Sequence, residues 1–380
     1  MELEALHQVQ GVQGSSYPIY LGEGLLDDAL PNMIVERGYT NIAIATNETL
    51  EPLYGKPLVK RLREYDSYMI VLPDDEKYSG LNTVHIIFNQ LLLRNADRST
   101  VIVALGGRVI IELVSFVGAT YMYGVDVINC PTTPLAMVDT SIGGKGAIDL
   151  PQGRNLIGTF KDPIAVFADL QSLETLPVSE MRNGLAGIVK TALVGDPDLI
   201  DMLTPDDQSR LAYRPERLRT IIERAMAVKV PIVEADHTGL GERLHLNLGY
   251  TFAFALEKAT GYKLPHGEAL AVGLVAAVRL SHRMGLCDAA LVQRTEQVLQ
   301  SLNPSNAPVS YAIPQGRAID VWEAMRHDPK WRQGKARFVL LQGPGQPIIH
   351  DDVPQELVLE VIESLADGVY PRPRSWRMVL

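Results

Sequence analysis

The chain reads as an α/β domain followed by an all-helical one, and three observations carry that reading. In the first half, short apolar runs of strand length alternate with segments whose apolar residues recur every three or four positions. That alternation is the mark of a parallel sheet covered by helices on both faces. From Val178 onward only the helical period remains. At 380 residues the chain also exceeds the usual reach of a single core, so two domains are expected, 1–177 and 178–380, with the boundary near Leu176-Pro177.

Taken in order, Ser16 to Leu25 alternates and ends in Gly-Glu-Gly, as a strand running into a turn does. NIAIAT (Asn41 to Thr46) predicts a buried strand and NETLEPLYGKPLVKRLREY a helical stretch. SYMIVLP predicts the next strand, and Asn82 to Arg94 a helix through Val84, Ile87, Leu91 and Leu92. STVIVAL (Ser99 to Leu105) is the strongest strand signal; it runs into Gly106-Gly107 and an apolar helix ending near Tyr123. Ala165 to Leu170 predicts a further strand. The second half predicts helices over Pro215–Lys229, Leu248–Ala259, Glu268–Met284 and Ala289–Leu302, and the tail from Tyr370 reads as a loose extension.

Composition limits the function classes. A net charge of -10 argues against nucleic acid or an anionic membrane as partner, because both need a basic face. Two cysteines, Cys130 and Cys287, form neither a disulfide framework nor a zinc cluster by themselves, and they suit a reducing cytoplasm. MELEALHQVQ lacks the basic and apolar regions of a signal peptide, and no run is long enough to span a membrane. A soluble cytoplasmic protein is expected.

Asn129 to Phe160, NCPTTPLAMVDTSIGGKGAIDLPQGRNLIGTF, is too polar for a core segment and too apolar for a linker. Gly143-Gly144 permits a tight turn and close approach to a ligand, and Lys145 follows with a cation suited to phosphate or carboxylate. The segment reads as a binding surface; an ordinary Gly/Pro-rich loop with solvated charges is the alternative. A strand, a glycine turn and a helix, as at GGRVIIE (Gly106 to Glu112), form the usual phosphate cradle, although G-x-G-x-x-G is not present.

The segment from Pro131 to Phe160 resembles PTT-LA-VD-S-GGK-A-(N/D)-P-GKNLIG-F of the dehydroquinate synthase family, the sugar-phosphate cyclases of the shikimate pathway. The likeness continues through LETLPVSEMRNGLAGIVKTAL, LNLGYTFAFALE and LPHGEALAVGL, and extends from Ser16 to Leu341. It implies a Rossmann-like N-terminal domain, a helical C-terminal domain, a site in the cleft between them, a homodimer, and dependence on NAD and a divalent metal (zinc or cobalt). On the cofactor side it implies roles for Glu76, Gly106, Gly107, Glu112, Thr132 and Thr133. On the side of the anionic sugar phosphate it implies roles for Asp139, Lys145, Asn155, Lys190, Lys229, Arg243, Asn247 and Lys330, with Arg154 in place of a family lysine.

Several positions depart from the family pattern. Family members resemble GGGVIGDLAGF where this chain has GGRVIIELVSF, so Arg108 and Ile111 stand at glycine positions, where they are expected to intrude on the pyrophosphate, and Glu112 stands for aspartate. Asp75 and Ser79 replace a glycine and a lysine. Of the implied metal set, a glutamate and two histidines, Gly187 and Tyr250 replace the first two, and only His266 remains. Phe254 replaces a further histidine and Pro329 the first of a lysine pair. Catalytic zinc needs three protein ligands, so both cofactors are in doubt. The resemblance therefore implies a protein that keeps an anion pocket while impaired in NAD- and metal-dependent cyclisation, serving as a binding, regulatory or partner subunit. An active cyclase with an improvised metal site, and a polyol dehydrogenase of the glycerol dehydrogenase type, are the alternatives.

Overall fold

The computed structural model describes residues 3–11, 15–74, 78–150, 152–203, 215–302, 317–326, 328, 330–331 and 334–366. They fall into two compact units: the described residues of Met1–Gly184 with Ala212–Arg243, and those of Leu185–Leu211 with Leu244–Leu380.

The first unit is built on a seven-stranded sheet. Its strands are β1 (His7–Gln10), β2 (Ser16–Gly22), β3 (Asn41–Asn47), β4 (Asp66–Leu72), β5 (Thr100–Gly106), β6 (Asp126–Pro131) and β9 (Ala165–Asp169). They lie in the order β1-β2-β9-β6-β5-β3-β4, parallel throughout except for the β1–β2 pair. Strand β5, TVIVALG, is buried at every position, as expected of a parallel strand covered on both faces. One face packs Ile42, Ile44, Val101, Val103 and Phe167 against Leu30 and Ile34 of α1 (Leu30–Glu36) and Leu58 of α2 (Lys56–Arg61). The opposite face packs Ala43, Ile70 and Ile102 against α3 (Leu81–Leu93) and α4 (Arg108–Thr120).

A separate antiparallel hairpin, β7 (Lys145–Leu150) and β8 (Gly153–Phe160), lies on α4. Its contact is made backbone to backbone: a Cβ on Gly146 would collide with the main chain of Phe116 and Ser115. Helix α7 (Pro215–Ala235) also belongs to this unit, where the backbone N–H of Gln10 donates to Glu234 at 2.8 Å.

The second unit contains α5 (Val178–Gly195) from Leu185 onward, α6 (Asp198–Leu203), α8 (Tyr250–Ala259), α9 (His266–Arg283), α10 (Ala289–Ser301), α11 (Ala318–Met325) and α12 (Gln355–Ala366). Helix α9 is buried along nearly its whole length, with α8, α10 and α12 packed around it. It approaches α8 so closely that a Cβ on Gly273 would meet the Gly249 carbonyl. The α/β plus helical fold expected from the sequence is the fold observed. One hairpin, β10 (Arg337–Gly343) with β11 (Gln346–Asp351), is added to the helical unit and was not signalled by helical spacing. Among the described residues no helix is long and apolar enough to cross a membrane.

Candidate functional site

In the first unit, the phosphate-cradle elements are present. Strand β5 ends at Gly106, whose carbonyl accepts from Thr132 N–H at 3.0 Å, and Gly107 precedes α4 in extended conformation. Thr133 Oγ1 accepts from Ala136 N–H at 3.2 Å and so opens the wide helical turn Ala136–Thr140. Arg108, the first residue of α4, bonds Glu112 one turn on at 2.7 Å, and both side chains are largely buried. Ile111 corrects the expectation made for it: its side chain is fully buried in the core beneath the sheet, so it does not intrude on the cradle. Arg108 keeps its side chain along the first turn of the helix, on Glu112. Glu76 lies outside the described residues.

Behind this helix end, Asp149 of β7 collects three donors: Ser79 Oγ at 2.5 Å, Arg154 Nη1 at 2.6 Å and Asn155 N–H at 2.8 Å. Asn155 takes a left-handed φ of 53°, and its buried Oδ1 finds no partner among the described residues. Burial pushes the Asp149 carboxyl up, but the guanidiniums of Arg108 and Arg154, with Ser79, outweigh it and hold it below the usual carboxylate range.

A second cluster surrounds the Gly143-Gly144 turn, where both residues have positive φ, 93° and 60°, a conformation that suits glycine. Arg243 donates to the Gly143 carbonyl at 2.7 Å and to the His237 carbonyl at 2.6 Å. It is 3% exposed, and burial lowers its pKa against the pull of Asp139 and other acidic neighbours. Among the described residues its guanidinium makes hydrogen bonds only to main-chain carbonyls and has no carboxylate ion-pair partner. Lys229 of α7 pairs with Asp139 on the wide turn and also donates to its carbonyl. Lys145 opens β7 with its ammonium on the Gly239 loop, next to the Arg243 stem. Tyr17 supports the turn, its hydroxyl accepting from Gly143 N–H at 2.9 Å; burial raises its pKa.

Two supporting groups were not assigned to this site from the sequence. Asp236 accepts from the N–H groups of Gly239, Leu240, Gly241 and Arg243, which fixes the loop that delivers Arg243. His237 Nε2 lies 3.0 Å from Asp162 Oδ1. The only signal in the sequence for Asp236 is an acidic residue ahead of a glycine-containing loop, the usual setting for a side chain that binds local N–H groups.

In the second unit, Lys190 is 1% exposed on α5, with its ammonium 5.0 Å from the Tyr250 ring centroid. Tyr250 stacks on His266 at 5.7 Å and on Phe254 at 5.1 Å, and Phe254 stacks on His266 at 6.1 Å. His266 Nδ1 lies 2.7 Å from Oε1 of Glu257, a fully buried residue, while Nε2 has no partner among the described residues. Asn247 donates to the Leu244 carbonyl at 3.1 Å, and Lys330 is paired with its neighbour Asp328 at 2.7 Å.

The donor set does not fit a divalent metal. Gly187 has no side chain to offer, Tyr250 turns a ring face to His266, and no group of three His, Cys, Asp or Glu that could hold an ion occurs among the described residues. A dinucleotide fits poorly too, because Arg108, at the start of the cradle helix, already serves Glu112.

The profile of the 3-dehydroquinate synthase N-terminal domain matches residues 69–183, and that of its C-terminal domain residues 184–331. The 3-dehydroquinate synthase of Pseudomonas aeruginosa (strain LESB58) is 40% identical over 347 residues, covering 90% of this chain and 92% of that protein. The enzyme of the same name from Pseudomonas entomophila (strain L48) is 41% identical over 345 residues, with 90% and 93% covered. Among solved structures, the 2-epi-5-epi-valiolone synthase of Streptomyces hygroscopicus subsp. jinggangensis 5008, with NAD+ and Zn2+ bound, superposes with a TM-score of 0.82 at 25% identity, covering 95% of this chain and 99% of that one. A 2-deoxy-scyllo-inosose synthase shares the fold with a TM-score of 0.82 at 23% identity, covering 94% and 99%.

Proposed function

The chain belongs to the 3-dehydroquinate synthase family, and from that premise we propose that it binds an anionic sugar phosphate without carrying out metal-dependent cyclisation. The observation that carries the proposal is Arg243: a guanidinium 3% exposed, held by main-chain carbonyls and lacking a carboxylate partner among the described residues. Removing a cation from water without pairing it is costly. A site that maintains one gains most from an anion, and a phosphate matches the guanidinium fork.

The second unit supports the absence of metal-dependent cyclisation. A metal would polarise a hydroxyl or carbonyl as a Lewis acid, and the aromatic stack at Tyr250, Phe254 and His266 supplies no ligand set for one. The chain would then act as a binding, regulatory or partner subunit. The second reading is an active 3-dehydroquinate synthase of aromatic amino acid biosynthesis, favoured by 40% identity over nine-tenths of the chain to proteins of that name.

Phosphate release from the heptulosonate phosphate, with NAD and added zinc or cobalt, separates the two, run beside calorimetric titration of the same compound. Binding without release is expected, and lost in Arg243→Met. Turnover by the unmodified chain would establish the second reading.

A further inference from the structure

A strand, a glycine turn and a helix N-terminus together invite a pyrophosphate, because free N–H groups and the positive end of the helix dipole converge there. The residues around the start of α4 answer that invitation from within the chain. Arg108 sits at the first helical position, where the dipole disfavours a cation, and it is kept there by Glu112 at 2.7 Å. Its charge also reaches Asp149, which Arg154 holds at 2.6 Å and Ser79 at 2.5 Å. The Ser79 carbonyl in turn accepts from Asp149 N–H at 3.0 Å, which ties the segment before α3 to strand β7. Two guanidiniums thus face two carboxylates, and all four side chains are at most 14% exposed.

We propose that this ion network replaces a dinucleotide: Arg108, Glu112, Asp149, Arg154 and Ser79 pair with one another beside the cradle, and the first unit does not take up NAD. A pyrophosphate entering the cradle would have to take Arg108 from Glu112 and bring its negative charge beside Asp149. Either step leaves a largely buried carboxylate without compensation, the circumstance that makes breaking a buried pair unfavourable. The proposal is independent of the reading of the second unit, since no group of that unit enters it. A sugar phosphate could be bound and the network would still stand.

The test is calorimetric titration of the full chain with NAD+ and with ADP-ribose, which carries the pyrophosphate but no nicotinamide. The unmodified chain is expected to show no saturable binding of either at millimolar concentration, and no rise in its melting temperature. Glu112→Gln, isosteric and lacking only the charge, releases Arg108 and is expected to tighten ADP-ribose binding on the order of tenfold or more, as charge-assisted bonds to phosphate allow. Arg108→Gly with Glu112→Gln, which empties the helix start of both side chains, is expected to bind NAD+ measurably. Saturable micromolar binding of NAD+ by the unmodified chain would overturn the proposal. So would folded variants, verified by circular dichroism, that gain nothing. The thermal-shift result on the unmodified chain decides the matter even if the double variant does not fold.

Discussion

Replacing Asp149 by Asn isolates the charge at the centre of the ion network. The amide keeps its oxygen for Asn155 N–H and puts an NH2 where Oδ2 accepted from Ser79 and Arg154; the Ser79 hydroxyl can turn to accept from it, so what is lost is the bond and the counter-charge of Arg154, whose side chain is only 6% exposed. Breaking a buried ion pair from one side costs about 3–5 kcal/mol. With Asp149 14% exposed, water offsets part of this, and the low end, about 3 kcal/mol, is expected. For a unit of this size that lowers the melting temperature by roughly 6–12 °C. The assay needs to see the first unit alone. All three tryptophans, Trp322, Trp331 and Trp376, lie beyond it in sequence, so hydrogen exchange in peptides spanning 100–120 and 145–160 is the appropriate probe, with tryptophan fluorescence as the internal control. Adding Arg154→Met removes the stranded cation, and the double variant is expected to recover about half of the loss. A double variant as unstable as the sum of the two single ones, or an Asp149→Asn protein with unchanged exchange and melting, would refute the argument from stranded charge.

Acid should act on the same carboxyl. Its folded pKa is depressed, so its contribution is present above the ordinary value of 3.8 and is lost as pH falls from there through the lower folded value; the melting-temperature gap between the parent and Asp149→Asn should close below pH 3.8. Tyr17→Phe strands the buried Gly143 N–H, an expected cost of about 1–2 kcal/mol in a urea titration. Because Gly143 also holds Arg243, phosphate affinity should fall with it. Arg243→Met should weaken inorganic phosphate binding by roughly tenfold or more, the scale of one charge-assisted bond, read by calorimetry. Gly187→Glu with Tyr250→His rebuilds a three-ligand set with His266; equilibrium dialysis should show zinc retained by the variant and not by the parent.

Much of this was legible in the sequence. The strands of the central sheet announce themselves because a parallel strand is apolar on both faces, as Ile42 and Val101 on one face and Ala43 and Ile102 on the other are. Hairpin β7–β8 did not, since Gly146, Gly153 and Gly158 interrupt any alternation and its pairing partner is another glycine-rich stretch. The departures at Arg108 and Ile111 look alike in sequence and prove unlike in space: one pairs with Glu112 along the first turn and the other fills the core. Burial decides such pairs, and periodicity over four residues cannot. Lys330, implied as a ligand-binding cation, pairs with Asp328, a local pairing that a motif does not reveal. The aromatic stack on His266 was also invisible, because Tyr250 and Phe254 read as two replacements rather than as one packed group.

Gly146 has a mechanical consequence. With no side chain between them, strand β7 and helix α4 meet through their main chains, and protein interiors this dense transmit displacement instead of absorbing it. The hairpin and the helix should therefore move as one plank. A ligand that pulls on Lys145 at one end of β7 would shift Asp149 and, through α4, the first turn that carries Arg108, so the anion cluster and the cradle share a lever whose stiffness is set by a missing methyl group.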